Sequence, residues 1–474
     1  MAHKVFSIVD FKAGLDVRKT PLTAPGGSLR ILENAVLNQG GEIEKRQAFT
    51  YVAQVTTDPP APLYMIGYIG ALQVFGPAGG TIAMIPPLIP HNIVYHPLMV
   101  SQVVKRYLDV EPFDTRYFVC MEAPDGQSYC SYDDIMVSDA AGALIHGTYA
   151  RTWKSKVYRT DDKYLRFSGV NNPAVNDPAS VSNPGAGFIN LSINDPEGED
   201  PIAMEIYYSD MAIFARLQTQ IWSLDPDPTK DSLKQLLRIG LVSPRSVLQF
   251  GTGDVLFLSD SGVRSLKAQA LNNAASVSDV GSAIDQLLIP VIRSNPTAVE
   301  QADAIVQPIQ GRYWLAIDDT IYVLSYFPAG HITAWSTFKP GFTVKCFAVV
   351  GNYLYVLDTL NRIWLYGGVD RNTYDSSKVT VRTPHLSADS PTQNKRIKSI
   401  DVMCQGQWSV QVGMLANNTD LFELAATVQD NTYGLQSIPF AGYGTHIGCH
   451  LEHQAPGPAT LASLHFNIED GVTK

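Results

Sequence analysis

Residues 202–224, IAMEIYYSDMAIFARLQTQIWSL, hold three short apolar strands separated by polar turns. The same local sentence returns as SVLQFGTGDVLFLSDSGVRSL at 246–266, RYWLAIDDTIYVLSYFPAGHITAWSTF at 312–338 and KCFAVVGNYLYVLDTLNRIWLYG at 345–367. Each copy is an antiparallel meander of three or four strands that cannot bury both faces alone. Stacked copies can, and radial stacking predicts a β-propeller. Working outward, similar units fall at 62–89, 93–137 and 150–169. The count is about seven, within a range of 6–8 blades.

The expected fold class is therefore all-β, a propeller over 56–370 followed by a C-terminal β-sandwich over 371–474. Residues 1–55 read as an N-terminal arm with propeller-closing strands, and Asn38-Gln39-Gly40-Gly41 as the turn between two of them. Residues 170–200 are rich in Asn, Pro, Asp and Gly and read as a long loop insertion. Residues 278–293 carry Ile284, Leu287, Leu288, Val291 and Ile292 at helical spacing, with Ser278 as N-cap and Pro290 as kink or terminator. That apolar face is expected to pack on the propeller. After Gly368 the composition turns polar, and then KSIDVMCQG, WSVQVGML, LFELAATV and ASLHFNIE supply strands without a helix, as a sandwich requires.

Composition bounds the function. The 474 residues are 45% hydrophobic and 17% charged, which describes a large globular core. A net charge of −10 gives no electrostatic footprint for nucleic acid over the whole chain. Five cysteines argue against a disulfide framework. The opening MAHKVFSIVDF lacks a secretory apolar run. Residues 59–104 contain no Asp, Glu, Lys or Arg, yet Pro77, Pro86, Pro87, Pro90 and five glycines break any helix long enough to span a membrane. Buried strands are the expectation there.

Catalytic motifs are missing from the sequence. The phosphate-cradling GxxxxGK[ST], a GxGxxG after a strand, GxSxG and HExxH do not occur. No catalytic residue, cofactor or metal site is assigned. The best metal candidate is THIGCHLEH, with His446, Cys449, His450 and His453. In a strand, His446 and His450 face away from Cys449, so surface histidines are the expectation. Cys120 and Cys130 flank the Pro124-Asp125-Gly126 turn symmetrically and are expected as cross-strand neighbours and reduced thiols. The pairs Asp133-Asp134, Asp161-Asp162 and Asp318-Asp319 sit at turns, which favour Asp for backbone reasons. Lys395-Arg396-Ile397-Lys398 reads as a solvated strand edge, not a nucleic-acid patch.

The opening stretch DFKAGLDVRKTPLTAPGGSLRILENAVLNQGGEIEKRQAF resembles the start of structural tail proteins of short-tailed bacteriophages. GAGFINLSINDPEGEDPIAMEIYYSDMAIFARLQTQIWSLDPDP and SPRSVLQFGTGDVLFLSDSGVRSLKAQALNNAASVSDVGSAID resemble propeller segments of podovirus tail nozzle, or tail hub, proteins. These are also called packaged-DNA stabilisation or tail tubular B-type proteins. KRIKSIDVMCQGQWSV resembles the start of their C-terminal β domain. Gly14, Leu15, Asn34, Gly40, Lys45 and Arg46 carry the resemblance residue by residue, as structural positions. The resemblance implies a virion protein assembled in the host bacterial cytoplasm, a homohexameric ring at the distal end of the tail. Such a ring would contact tail adaptor and portal-vertex proteins, dock fibres, spikes or a plug, and line the exit channel for packaged DNA. Two other readings stay open. One is a host receptor-binding module built on the sandwich. The other is a propeller-type polysaccharide-degrading enzyme, which predicts acidic residues converging at the central pore beside aromatic platforms.

Overall fold

The computed structural model describes residues 3–57, 63–84, 90–98, 104–181, 183–194, 198–272, 279–430 and 437–470. Seven meanders stand in a ring. Blade 1 holds Tyr64–Tyr68, Ala71–Pro77 and Ile93–Leu98, and blade 2 runs from Arg106 to Met136 in four strands. Blade 3 begins at Ala150–Trp153, blade 4 at Ala203–Tyr207 and blade 5 at Leu248–Phe250. Blade 6 begins at Asp303–Gln307 and blade 7 at Val344–Val350. The first strand of each blade touches the first strand of the next, and that of blade 7 touches that of blade 1, which closes a seven-bladed propeller. Tight hairpins make the meanders possible. Asp114, Asp162, Tyr208 and Asp318 adopt left-handed backbone at two-residue turns, and Asn361 does so at the end of a three-residue turn, as tight hairpin loops demand.

Blade 7 is completed from the far end of the chain. Phe49–Thr56 pairs antiparallel with Arg362–Tyr366 as its fourth strand. Thr81–Met84 then adds to Phe49–Thr56. This corrects the assignment of that segment to the first meander. Likewise Ile93–Leu98, read from sequence as part of the second unit, pairs parallel with Ala71–Pro77 of blade 1. Both segments have strand pattern, but alternation names a face and not a partner sheet.

Residues 3–45 do not form a separate arm. His3–Ile8 pairs with Thr460–Asp470, and Ile43–Lys45 pairs with both Ala35–Leu37 and Thr460–Asp470. These strands join Lys395–Gln405 and Ile438–Gly444 in one sheet of the C-terminal sandwich. The other sheet orders Glu423–Gln429, Gln407–Gly413, Gly448–His453, Val379–Arg382 and Ile31–Glu33. Ile31–Glu33 also meets Ile332–Phe338, the outer strand of blade 6. One eleven-stranded sheet thus runs from propeller into sandwich. One apolar core spans both, from Leu256, Tyr313 and Trp335 to Trp408, Val410 and Phe466.

Helix α1 (Leu266–Asn272) follows blade 5 where a fourth strand would stand. Helix α2 covers Asp285–Ser294 and α3 covers Pro296–Glu300. Ile284, Leu288 and Ile292 are buried as the spacing required, while Val291 is half-buried and Leu287, read as part of the same face, is exposed. Pro290 does not end α2, which continues to Ser294. The freed carbonyl belongs to Gln286, an exposed residue. Ser278 lies outside the described residues. Within 170–200, Gly187–Asn190 is not loop but the outer strand of blade 3. No helix among the described residues is long and apolar enough to cross a membrane.

Candidate functional site

Two polar clusters stand out, one at the propeller–sandwich junction and one at the propeller axis. The junction gathers five of the six motif residues. Gly14 pairs with Trp335 in left-handed backbone. A Cβ there would meet Ala334 Cβ at 2.6 Å, so only glycine fits. Leu15 is buried in the shared core. Asn34, also left-handed, is the crossing point. Its N–H donates to Thr337 O of blade 6 (2.7 Å) and its Nδ2 to Lys378 O (2.8 Å). Its Oδ1 accepts from Lys339 N–H and Arg46 Nε, both at 2.9 Å. Arg46 is buried, lies over the Phe49 ring and reaches Asp375 at 3.1 Å. Lys45 Nζ donates to Asp375 O (2.5 Å) and Ala455 O (2.8 Å). Burial pushes the Lys45 ammonium below its ordinary pKa, with Asp375 opposing. Burial pushes the Asp375 carboxyl up, but Arg46 and the Ser377 hydrogen bonds outweigh it and hold it low.

Gly40 stands apart from this cluster, exposed in the Asn38–Gly41 turn. Asn38 Oδ1 accepts from Gly40 N–H at 2.9 Å, and the left-handed residue of that turn is Gly41.

No sequence motif marks the axial cluster. It is built on the innermost strands. Arg151 of blade 3 reaches Asp109 and Glu111 of blade 2, each at 3.4 Å, and Glu205 of blade 4 at 3.3 Å. Its guanidinium lies over the Tyr149 ring and also donates to the Tyr149 hydroxyl. Across the ring, Arg245 lies over Tyr64, donates to Lys345 O at 3.0 Å and faces Asp303 at 3.7 Å. The acids also stitch blades directly. Ala150 N–H donates to Asp109 (3.0 Å), Thr152 N–H to Glu111 (2.8 Å) and Phe347 N–H to Asp303 (2.6 Å). In each case a carboxylate on one inner strand satisfies an edge N–H of the next blade, which would otherwise lack a partner. Burial pushes the Glu111 carboxyl up to about 7 and Asp303 to about 6, against the pull of Arg151 and Arg245. Burial pushes Asp109 up as well. Burial lowers Arg151, but Tyr149 and the three carboxylates outweigh it and keep the guanidinium charged.

Acidic residues and tyrosines therefore do converge on the axis. The carboxylates are engaged by guanidinium or backbone N–H groups.

The remaining candidates separate. Cys449 is buried in the sandwich core, while His450 turns to Glu452 at 2.9 Å. His453 is buried, not on the surface, between the carbonyls of Gln407 (2.7 Å) and Ala455 (2.9 Å). No group of three His, Cys, Asp or Glu among the described residues is placed to hold a metal. Asp133, Asp134, Asp162 and Asp318 are left-handed turn residues, Asp161 pairs with Arg166, and Asp319 pairs with Lys339. Lys395–Lys398 is not at a sheet edge, since its strand lies between two others, but Arg396 and Lys398 are solvent-exposed as expected. Lys395 is fully buried and donates to the carbonyls of Ser390, Gln393 and Thr445, an ammonium caged by loop ends.

The architecture is that of a seven-bladed β-propeller continuous with a β-sandwich. No family model and no curated protein matches the chain. Similar solved structures include a chain of the mitotic checkpoint complex, at 8% identity and TM-score 0.34, covering 77% of this chain and 93% of that one. BamB from Moraxella catarrhalis aligns at 9% identity and TM-score 0.32, over 68% of this chain and 95% of that one. The Pan2 WD40 domain of Neurospora crassa aligns at 11% and 0.32, over 71% and 88%. At these scores the likeness says nothing of role.

Proposed function

We propose that this chain is a non-catalytic wall subunit of a short phage tail, the nozzle or hub ring through which packaged DNA leaves. In this reading copies assemble into a closed ring, a hexamer on the resemblance, and dock adaptor proteins on one side and fibres, spikes or a plug on the other. The observation that carries the reading is the junction. Gly14, Leu15, Asn34, Lys45 and Arg46, which bear the resemblance, tie propeller to sandwich through one sheet and one core. A wall under DNA pressure needs such a rigid unit. The engaged axial carboxylates are consistent with this, because they are already held by guanidinium and backbone N–H groups. Net charge of −10 fits as well. Many Lys and Arg contacts would hold DNA by counterion release, and an exit channel works better without them.

Mass photometry and negative-stain imaging of the purified full chain test the proposal. A closed ring, or assembly onto tail complexes, is the expected result. A strict monomer that releases sugar from host polysaccharide would overturn it and favour the enzyme reading. Receptor binding is a second reading only at the level of the sandwich. It must be tested with the full chain, because residues 3–45 supply sandwich strands.

A further inference from the structure

We infer that Cys120 and Cys130 form a thiol pair that closes to a disulfide across the middle of blade 2 when the protein meets an oxidising small disulfide. The two residues are direct partners in antiparallel register, and their sulfurs lie 3.8 Å apart. Backbone geometry suits the bond. Cys130 N–H donates to Ile145 O (3.2 Å) and Cys130 O accepts from Val137 N–H (3.0 Å), both on the side away from Cys120. The pair is thus a non-hydrogen-bonded one, whose Cα atoms stand close, about 4.5 Å apart, inside the range that disulfides use. The other thiols lie elsewhere: Cys346 in blade 7, Cys404 and Cys449 in the sandwich.

Both sulfurs are fully buried, packed with Phe118, Val137, Ile145, Ala150 and Val157. The Cys130 thiol beside it, and then burial, push the Cys120 thiol well up. The two thiols, free in this structure, are therefore slow to react. Its cover is thin on one side. Residues 139–144 form an exposed turn leading to Ile145, and Gly147 backs directly onto Cys130 Sγ. Opening of that turn admits the oxidant. One thiolate then attacks the small disulfide, forming a mixed disulfide and releasing one small thiol. The second thiolate attacks the protein sulfur of the mixed disulfide and expels the second small thiol. Two protein thiols are oxidised, one disulfide is reduced, and the two thiol protons leave with the released thiols.

Full-length protein, purified reduced and incubated with oxidised glutathione, is then denatured and alkylated. Three cysteines should label instead of five, intact mass should fall by two hydrogens, and peptide mapping should join 120 to 130. Cys120→Ser should form no intrachain bond. Because that position is in the core, Cys130→Ser serves as a second variant, and the wild-type mass change needs neither. Five labelled thiols after prolonged oxidation, or a bond to Cys346, Cys404 or Cys449, would overturn the inference.

Discussion

The junction and the axis solve the same problem with opposite charge. At the junction, buried cations meet mainly neutral acceptors: Lys45 faces two carbonyls, and Arg46 faces an amide, a carbonyl and one carboxylate. At the axis, one part-buried guanidinium serves three carboxylates. A carbonyl left without its cation is a lost hydrogen bond. Carboxylates left without their cation are uncompensated charges. The difference predicts that the axis is the more fragile of the two.

The largest effect should come from Arg151→Met. Removing one partner of a fully buried ion pair costs about 3–5 kcal/mol; Arg151 is part-buried and shared by three carboxylates, so a loss near the low end, about 3 kcal/mol, and a clear fall in denaturant midpoint are expected. A midpoint within experimental error of wild type would show that the carboxylates simply take up protons, and the contrast with the junction would vanish. Lys45→Met should cost less, about 1–3 kcal/mol for two orphaned carbonyls, and Lys45→Arg should not restore it because the cage fits one ammonium. Gly14→Ala, where a Cβ meets Ala334 Cβ, falls in the range of about 1–3 kcal/mol for strained backbone positions.

The pH response sharpens the comparison further. Glu111 and Asp303 have raised folded pKa values, so the folded chain holds protons that the unfolded chain has released. Stability from these groups is full below their unfolded values and falls as pH rises toward about 7. Asp375 runs the other way: its folded pKa is lowered, so its contribution is present above about 4 and is lost in acid. His385 also opposes the axis. Burial, helped by Arg382 and His446 and opposed by Asp420, lowers it to about 4, and its ring packs on Phe422 and the Gly413–Gly448 pair. Its stability is present above about 6.5 and is lost as pH falls toward 4. Glu111→Gln should therefore flatten the decline between pH 4.5 and 7 in thermal melts, and His385→Phe should flatten the acid limb. Equal slopes in variant and wild type would remove these groups from the account. The smallest effect belongs to the surface: Lys339→Ala breaks an exposed pair with Asp319 and should change stability by less than about 0.5 kcal/mol.

Much of the fold was legible before any coordinates. The meander pattern from 202 to 367 is local information, carried by alternation and hairpin turns, and blades 4 to 7 follow it. What stayed hidden is non-local. TIAMI at 81–85 reads as a strand wherever it pairs, and only three-dimensional closure places Thr81–Met84 on blade 7. The N-terminal strands read as an arm because nothing in VFSIVDF names Thr460–Asp470 as its partner. The axial residues were readable in part. Glu205 sits inside AMEIY, Asp109 inside RYLDVEPF and Arg151 inside ARTW, each a charge within an apolar first strand of a meander. A charge at that place is costly unless paired, so its recurrence in successive first strands was the available signal. The junction residues were legible as a motif, but their task was not, because their partners Thr337, Lys339, Asp375 and Ala455 lie about 300–400 residues away.

The clasp on blade 7 sets a schedule for synthesis. Phe49–Thr56 leaves the ribosome early, and its partner Arg362–Tyr366 follows about 310 residues later. At roughly 5–20 residues per second, that strand waits on the order of 15–60 s with its edge unpaired. During that interval the nascent chain carries an open β edge, and another copy translated on the same message offers the same missing partner. Ring closure is therefore the last propeller event of translation, and slowing elongation between 57 and 361 should raise the yield of intermolecularly clasped chains.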